Sequence, residues 1–308
     1  MEITRASSRR ELLALGYTDH DIRRSLKQGA VRYLAPGVLA PAGLFDGSPE
    51  ERHRQLALMW ARHNANPHRA LSGVSAAAVL GLPVWGLDVR RVVAVDWGRA
   101  PGTRTSSRLH LVSDRRPPAV VDTDGVPVTA AARTVVDVAR SGARIPAIAL
   151  GDSALHQGLC TRDDLAGELD LVVGMTGAAR ARTVVASLDG RAESVLESRS
   201  RIELADAGLP RPELQVELFD RLGRFIARVD MYWQKERVVG EADGNLKYRG
   251  SDARAAILRE KERTDRIHDL GYRVTRWGWK HLTPPTLLTS QLRTALAIDP
   301  ANVNPPRP

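Results

Sequence analysis

The feature that most constrains the fold is a change of hydrophobic period between residues 193 and 279. The segment ESVLESRSRIELADAG (193–208) carries a helical pattern. Three predicted strands follow. Two of them alternate apolar and polar side chains, LQVELFD (214–220) and RFIARVDMYW (224–233), and the third is RVVGEAD (237–243). A predicted helix over 251–271 and a predicted strand over 272–279 complete the order α-β-β-β-α-β.

Acidic side chains fall at points of this order where the predicted elements can meet. Glu197 lies in the first helix, Asp230 near the end of the second strand and Glu241 near the end of the third. Asp243 is two residues after Glu241 and shares its strand face. Because clustered carboxylates repel, they favour a bound Mg²⁺ or Mn²⁺, which prefers hard oxygen ligands. The pattern predicts a metal centre that polarises a phosphate and activates a water.

The segments resemble, in their order, the PD-(D/E)XK nuclease superfamily, and more narrowly the compact domains related to the very-short-patch repair endonuclease. The matching segments are ESVLESRSR, RPELQVELFD, ARVDMYW, VVGEADGNLKY and EKERTDRIHDLGYRVTRWGW. The resemblance covers residues 193–282 and implies that Glu197, Asp230 and Glu241 are the acids of the catalytic centre. It implies a Mg²⁺- or Mn²⁺-dependent endodeoxyribonuclease that acts on DNA.

The third motif departs from that superfamily. The superfamily's lysine, two residues after its acid, falls on Asp243, which is interpreted here as a further metal ligand. Lys247 lies just beyond the turn at Gly244 and can take the place of the missing catalytic lysine. An inactive DNA-binding remnant of a nuclease is the alternative that this departure leaves open.

The first block, residues 1–45, predicts a winged helix-turn-helix. A short apolar helical segment is followed by a second helix, which Thr18 can cap and Gly29 can end. Two short strands are then predicted around the tight turn at Pro36 and Gly37.

The stretch ELLALGYTDHDIRRSLKQGAVRYLAPGVLAP is similar to the N-terminal domain of AbiEi-type antitoxins, which repress transcription in toxin–antitoxin systems. That resemblance implies DNA binding and a possible cognate toxin protein as partner. The residues predicted to contact nucleic acid in this block are basic or aromatic: Arg23, Arg24, Lys27, Arg32 and Tyr33.

The middle block mixes predicted helices and strands, and VTAAARTVVDVARSG (128–142) is interpreted as one helix. The fold class is therefore α/β (α+β), with four parts along the chain. These parts are a winged helix-turn-helix (1–45), an α/β middle domain (46–190), a PD-(D/E)XK nuclease-like domain (191–295) and a disordered tail (296–308).

The composition and net charge favour some classes of binding partner and cell compartment over others. The net charge of +9 favours a polyanion such as DNA, although an arginine-rich genome bias gives the same charge. The sequence contains no run of about 18 apolar residues, so no membrane span is expected. We also find no signal-peptide pattern at the N-terminus. A single cysteine, Cys160, cannot form an internal disulfide, which fits the cytoplasm.

Each functional residue also has a structural interpretation. The carboxylates can be surface groups neutralised by neighbouring arginines, which are Arg199, Arg201 and Arg228. Arg263 and Arg276 either bind phosphates or form salt bridges to Glu260 or Glu262. Gln215 either orients a ligand or lies on the strand surface.

The sequence supports three alternative functions. The first is a DNA-binding, Mg²⁺-dependent endonuclease. The second is an AbiEi-type antitoxin or repressor whose nuclease-like domain is catalytically degenerate. The third is a protein-interaction module, which the positive charge and the two resemblances disfavour.

Overall fold

The structure, a computed structural model, describes residues 3–114, 116–243 and 253–297. The chain divides into two compact units, unit 1 (1–188) and unit 2 (189–308). Both units combine helices with β-sheet, so the predicted mixed α/β class is confirmed. Within the described ranges, every helix is too short or too polar to cross a bilayer.

Unit 1 begins with two helices and a small antiparallel sheet whose strand order is β1-β3-β2. These elements are β1 (Ser7–Ser8), α1 (Arg9–Ala14), α2 (Asp19–Lys27), β2 (Val31–Ala35) and β3 (Val38–Pro41). The predicted cap is confirmed, because the Thr18 hydroxyl accepts the Asp21 amide and the Asp21 carboxylate accepts the Thr18 amide. The predicted turn at Gly37 is also confirmed, with a φ of 73°.

A six-stranded mixed sheet with flanking helices forms the rest of unit 1, in the order β6-β7-β5-β4-β9-β8. Its strands are β4 (Arg69–Leu71), β5 (Val92–Asp96), β6 (Gly102–Thr105), β7 (Leu109–Ser113), β8 (Val120–Thr123) and β9 (Val126–Thr129). Its helices are α3 (Pro49–His63), α4 (Gly73–Val79), α5 (Ala131–Ser141), α6 (Arg144–His156), α7 (Arg162–Leu171) and α8 (Ala178–Ala186).

One predicted helix of unit 1 was wrong at its start. The helix expected over 128–142 begins at Ala131, because Val128 belongs to β9 and pairs with Leu71 of β4 in the centre of the sheet. Both side chains are completely buried. Burial between sheet neighbours outweighs the helical pattern of the segment that follows.

Unit 2 follows the predicted order α-β-β-β-α-β and then adds one helix that the sequence pattern did not predict. Its elements are α9 (Val195–Asp206), β10 (Glu213–Phe219), β11 (Phe225–Trp233), β12 (Val238–Ala242), α10 (Ala253–Asp269), β13 (Arg273–Trp277) and α11 (Thr286–Ala297). The tail expected over 296–308 is wrong at its start, since residues 296 and 297 still belong to α11. The remainder of that tail lies outside the described residues.

The sheet of unit 2 has the order β10-β11-β12-β13, with only the last pair parallel. One apolar cluster joins one face of the sheet to α9 and α11, through side chains such as Leu196, Trp277 and Leu288. A second cluster joins the other face to α10 through Ile267. Helices therefore cover both faces, and polar side chains within the sheet are held in a largely buried setting.

Candidate functional site

Four polar residues form a row across the sheet of unit 2. Leu214 pairs with Met231 and Val216 with Val229, so Gln215 lies across from Asp230. Continuing the β11–β12 register by one step places Asp230 across from Glu241. Glu241 in turn pairs with Arg276 on β13. The row Gln215–Asp230–Glu241–Arg276 therefore takes one residue from each of the four strands.

Glu197 reaches this row from the first turn of α9. The Ser194 hydroxyl caps the helix at the Glu197 amide over 3.1 Å and donates to Oε1 of Glu197 over 2.7 Å. Oε2 accepts the Glu193 amide at 3.0 Å and the Gln215 side-chain amide at 2.9 Å. The carboxylate is 5% exposed and lies where the helix dipole favours negative charge. Three hydrogen bonds to the carboxylate and the Ser194 cap at the helix start fix the position of Glu197.

Of Glu197, Asp230 and Glu241, Asp230 has the least compensated charge. One oxygen accepts the Ala242 amide at 2.8 Å. Burial, with the charges of Glu197 and Glu241, raises the pKa of Asp230 to about 6, although hydrogen bonds from Ala242 and Gln215 oppose the rise. The three acids that sequence analysis expected to converge are thus close enough for their charges to interact.

Glu241 is held by two guanidinium groups. Arg263 Nη2 of α10 lies 2.7 Å from Oε1, and Arg276 Nε of β13 donates to Oε2 over 2.7 Å. Oε1 is buried and has no aligned hydrogen bond, so its contact with Arg263 is an ion pair without hydrogen-bond geometry. Both arginines also bind Glu260, over 2.8 and 2.6 Å. The salt bridges to Glu260 were expected as one alternative, whereas those to Glu241 were not.

The other arginines expected to neutralise the acids have different partners. Arg228 pairs with Glu193 over 2.8 Å, and Arg199 pairs with Glu203 over 2.7 Å. The Arg201 charge acts on Asp189. Sequence proximity was misleading here, because the arginines that reach Glu241 come from α10 and β13.

Gln215 is the site residue that the sequence analysis left out of the metal centre. Its φ is 54°, in the left-handed region that non-glycine residues seldom adopt, although it lies within β10. Its amide donates to Glu197 and also hydrogen-bonds Asp230. A strained residue that links two acids is typical of a functional site. The sequence offered only a weak signal, a polar residue opposite the acid of the next strand.

The acids suit a hard divalent cation by chemistry. Their donors are carboxylate oxygens, and the charge of Asp230 is uncompensated in a half-buried position. Nevertheless, in residues 3–114, 116–243 and 253–297 no three His, Cys, Asp or Glu side chains are arranged to hold a metal ion. The observed conformation instead engages Glu241 with guanidinium groups, so the predicted Mg²⁺ or Mn²⁺ site requires Glu241 to change partners.

The fourth predicted metal ligand, Asp243, directly follows β12 and lies outside the row. The Asp243 amide donates to the Trp277 carbonyl over 2.7 Å, which extends the β12–β13 pairing by one residue. No hydrogen bond or ion pair engages the Asp243 carboxylate within the part of unit 2 that the structure describes, and its role as a metal ligand stays a prediction. Lys247 lies outside the described residues.

The predicted nucleic-acid contacts of unit 1 lie on its surface. Arg23, Arg24 and Lys27 are exposed on α2, whose opposite side buries Ile22 in the small core. Arg24 also pairs with Asp21 over 3.3 Å.

On the hairpin of unit 1, the Arg32 guanidinium stacks 4.6 Å from the centre of the Phe45 ring. Tyr33 is 59% exposed. A helix with a basic outer side and an exposed tyrosine on the hairpin are suited to phosphate contacts, and DNA binding stays a prediction.

Comparison with known proteins finds relatives but no matching family model. The chain is 33% identical over 205 residues to two curated proteins of Mycobacterium tuberculosis. They are "Uncharacterized protein MT2308" of strain CDC 1551 / Oshkosh and "Uncharacterized protein Rv2248" of strain ATCC 25618 / H37Rv. Each alignment spans 66% of this chain and 74% of the relative.

Proposed function

The chain belongs to the family of the two Mycobacterium tuberculosis proteins. From its own residues we propose that it is a DNA-binding protein with endonuclease activity. Unit 2 hydrolyses phosphodiester bonds with Mg²⁺ or Mn²⁺, in the manner of the PD-(D/E)XK superfamily that its sequence resembles. Unit 1 docks DNA through its AbiEi-like helix and hairpin. A cytoplasmic location goes with this function, because the buried Cys160 needs no oxidising compartment.

The observation that supports the proposal is the electrostatic state of Asp230. Burial raises its pKa, and so do the charges of Glu197 on α9 and Glu241 on β12. A protein gains no stability from this repulsion in a half-buried place. A bound cation would relieve it, and the same cation would supply a Lewis acid for phosphate chemistry.

In the proposed reaction, a water oxygen attacks phosphorus, one phosphorus–oxygen ester bond breaks, and the leaving oxygen takes up a proton. Asp230, which has a pKa near 6, is ionised at neutral pH and accepts hydrogen bonds from groups in the site. Hydrogen bonds from Ser194 and Gln215 hold the Glu197 carboxylate in a fixed position and orientation. Preorganised charge of this kind is the main contribution a protein makes to phosphoryl transfer.

A second candidate function is an AbiEi-type antitoxin or repressor, with a cognate toxin as partner. One observation favours it: Glu241 is already neutralised by Arg263 and Arg276, as expected for a nuclease-like domain kept as a scaffold. DNA binding by α2 and the β2–β3 hairpin is common to both candidates, so DNA binding alone does not distinguish them.

Plasmid nicking distinguishes the two. The purified chain is incubated with supercoiled DNA and Mg²⁺, Mn²⁺ or EDTA, beside the variants Asp230→Asn and Glu241→Gln. Glu217→Gln, an exposed position on β10, is the matched control. The endonuclease proposal expects nicking by the wild type and the control, with loss in EDTA and in both site variants. Equal behaviour of all four proteins would leave the regulator as the better account.

A further inference from the structure

Two arginines from different elements meet at one buried carboxylate in unit 2. Glu241 is 6% exposed, and Arg263 and Arg276 reach separate oxygens of it over 2.7 Å. Both arginine side chains are partly accessible, with exposed fractions of 30% and 35%. Both arginines therefore contact the buried acid and are also open to solvent, from which a nucleic-acid phosphate can approach them.

The charges along the row are unevenly distributed. Glu241 has two cationic partners, whereas Asp230, its cross-strand neighbour, has hydrogen bonds and two carboxylates nearby. A divalent cation bound between Asp230 and Glu241 would meet two guanidinium groups of its own sign. At a few ångströms such repulsion is strong even with an effective dielectric constant near 20. Cation and guanidinium groups thus compete for Glu241.

The arginines have alternative partners on α10. Glu260 binds Arg263 over 2.8 Å and Arg276 over 2.6 Å, and the Thr264 hydroxyl accepts a hydrogen bond from Arg276 over 2.7 Å. On leaving Glu241, both guanidinium groups therefore remain tethered beside the row. Their planar N–H donors match a phosphate diester.

We propose that Arg263 and Arg276 are exchangeable counterions of Glu241. They neutralise Glu241 in the cation-free protein, leave it when Glu241 turns to a divalent cation, and then bind the phosphate backbone of the nucleic acid. This inference rests on the proposed function, because it concerns the same acids. It adds an order of binding: cation first, nucleic acid second, with each strengthening the other by thermodynamic linkage.

Calorimetric titration with Mn²⁺ tests the exchange directly. Arg263→Gln removes one competitor and is expected to bind Mn²⁺ roughly 5- to 50-fold more tightly than the wild type. Arg263→Lys keeps the positive charge, so its affinity for Mn²⁺ should be close to that of the wild type. The matched control is Arg266→Gln, on the same helix, whose guanidinium donates to the Phe225 carbonyl over 3.3 Å; it should leave the Mn²⁺ affinity unchanged.

The phosphate half of the inference is tested by fluorescence anisotropy with a labelled DNA duplex, checked on a gel for integrity. Mn²⁺ should raise the affinity of the wild type and steepen its salt dependence by about one unit of slope for each arginine released. In Arg263→Gln, Mn²⁺ should raise the affinity for DNA by a smaller factor than in the wild type. An unchanged gain would overturn the phosphate role.

The outcomes separate this inference from the nuclease proposal. If the wild type and Arg263→Gln, both folded by circular dichroism, bind Mn²⁺ equally, the exchange is wrong while the metal-dependent nuclease stands. If neither protein binds Mn²⁺, both proposals fail. If only Arg263→Gln binds it, the counterion role is supported in its strongest form.

Discussion

Two strand aspartates, one in each unit, differ in how their charge is compensated. Asp96 ends β5 of unit 1 and pairs across the sheet with Arg69, which reaches its carboxylate over 2.7 Å. Gly98 donates its amide to it over 3.1 Å, and Arg99 lies 3.5 Å away. In spite of burial, these partners hold the pKa of Asp96 below its ordinary value.

Asp230 of unit 2 lies inside β11 in a half-buried position, and its cross-strand neighbours are Gln215 and Glu241. Burial and like charges raise its pKa to about 6. The comparison teaches that a buried acid is structural where its neighbours supply the opposite charge. Where they supply more negative charge, the acid is suited to bind a cation. The same substitution at the two positions should therefore have opposite consequences.

Asp96→Asn carries the largest expected effect. It leaves the Arg69 guanidinium, whose side chain is 14% exposed, without its charged partner. We expect a loss of about 2–4 kcal/mol in the free energy of unfolding, measured with urea at neutral pH. A loss below about 0.5 kcal/mol would show that the ion pair contributes nothing beyond a neutral hydrogen bond.

Added Mn²⁺ is expected to stabilise unit 2 by a similar amount. At about 100 times its Kd, a ligand that binds only the folded state adds about 2.7 kcal/mol to the free energy of unfolding. The gain should appear in the wild type and in Asp96→Asn, and it should be absent in Asp230→Asn. Equal stabilisation of Asp230→Asn would place the cation elsewhere.

Asp230→Asn should stabilise the cation-free protein. The pKa of Asp230 lies about two units above its ordinary value, which corresponds to about 3 kcal/mol at 1.36 kcal/mol per unit. Solvent screening of this half-buried group reduces the expected gain to about 1–2 kcal/mol at pH 8. Urea unfolding of the variant and the wild type at that pH measures it.

The raised pKa of Asp230 should also make the stability difference between the wild type and Asp230→Asn depend on pH. A raised folded-state pKa means that the native protein binds the proton more tightly than the unfolded chain between about pH 4 and pH 6. Wild-type stability should therefore rise relative to Asp230→Asn as the pH falls through 6, and the difference should vanish near pH 4. A difference that does not vary with pH would contradict a charge origin.

Gln215→Gly should have the smallest effect on stability. Glycine tolerates the φ of 54° and relieves about 1 kcal/mol of backbone strain, while the hydrogen bonds to Glu197 and Asp230 are lost. The two changes should nearly cancel in urea unfolding. The pKa of Asp230 should nevertheless rise further, because Gln215 lowers it. An unchanged pKa would remove Gln215 from the site.

The sequence allowed much of unit 2 to be predicted, because β10, β11 and β12 are apolar-rich segments separated by turn residues. Asp230 and Glu241 lie near the ends of β11 and β12. It did not predict that Arg263 and Arg276 pair with Glu241, since that depends on how α10 and β13 pack against β12. In unit 1, short strands such as β4 and β9 carry too few residues for a period to emerge. The left-handed backbone of Gln215 also leaves no sequence signature.

The central claim is that Asp230 lies in an uncompensated acidic field that accepts a divalent cation. Titration of its carboxyl carbon by NMR, with and without saturating Mg²⁺, tests this most directly. We predict a pKa near 6 in the absence of Mg²⁺ and a value well below 4 in its presence. A pKa at the ordinary value for aspartate, unmoved by Mg²⁺, would contradict the account.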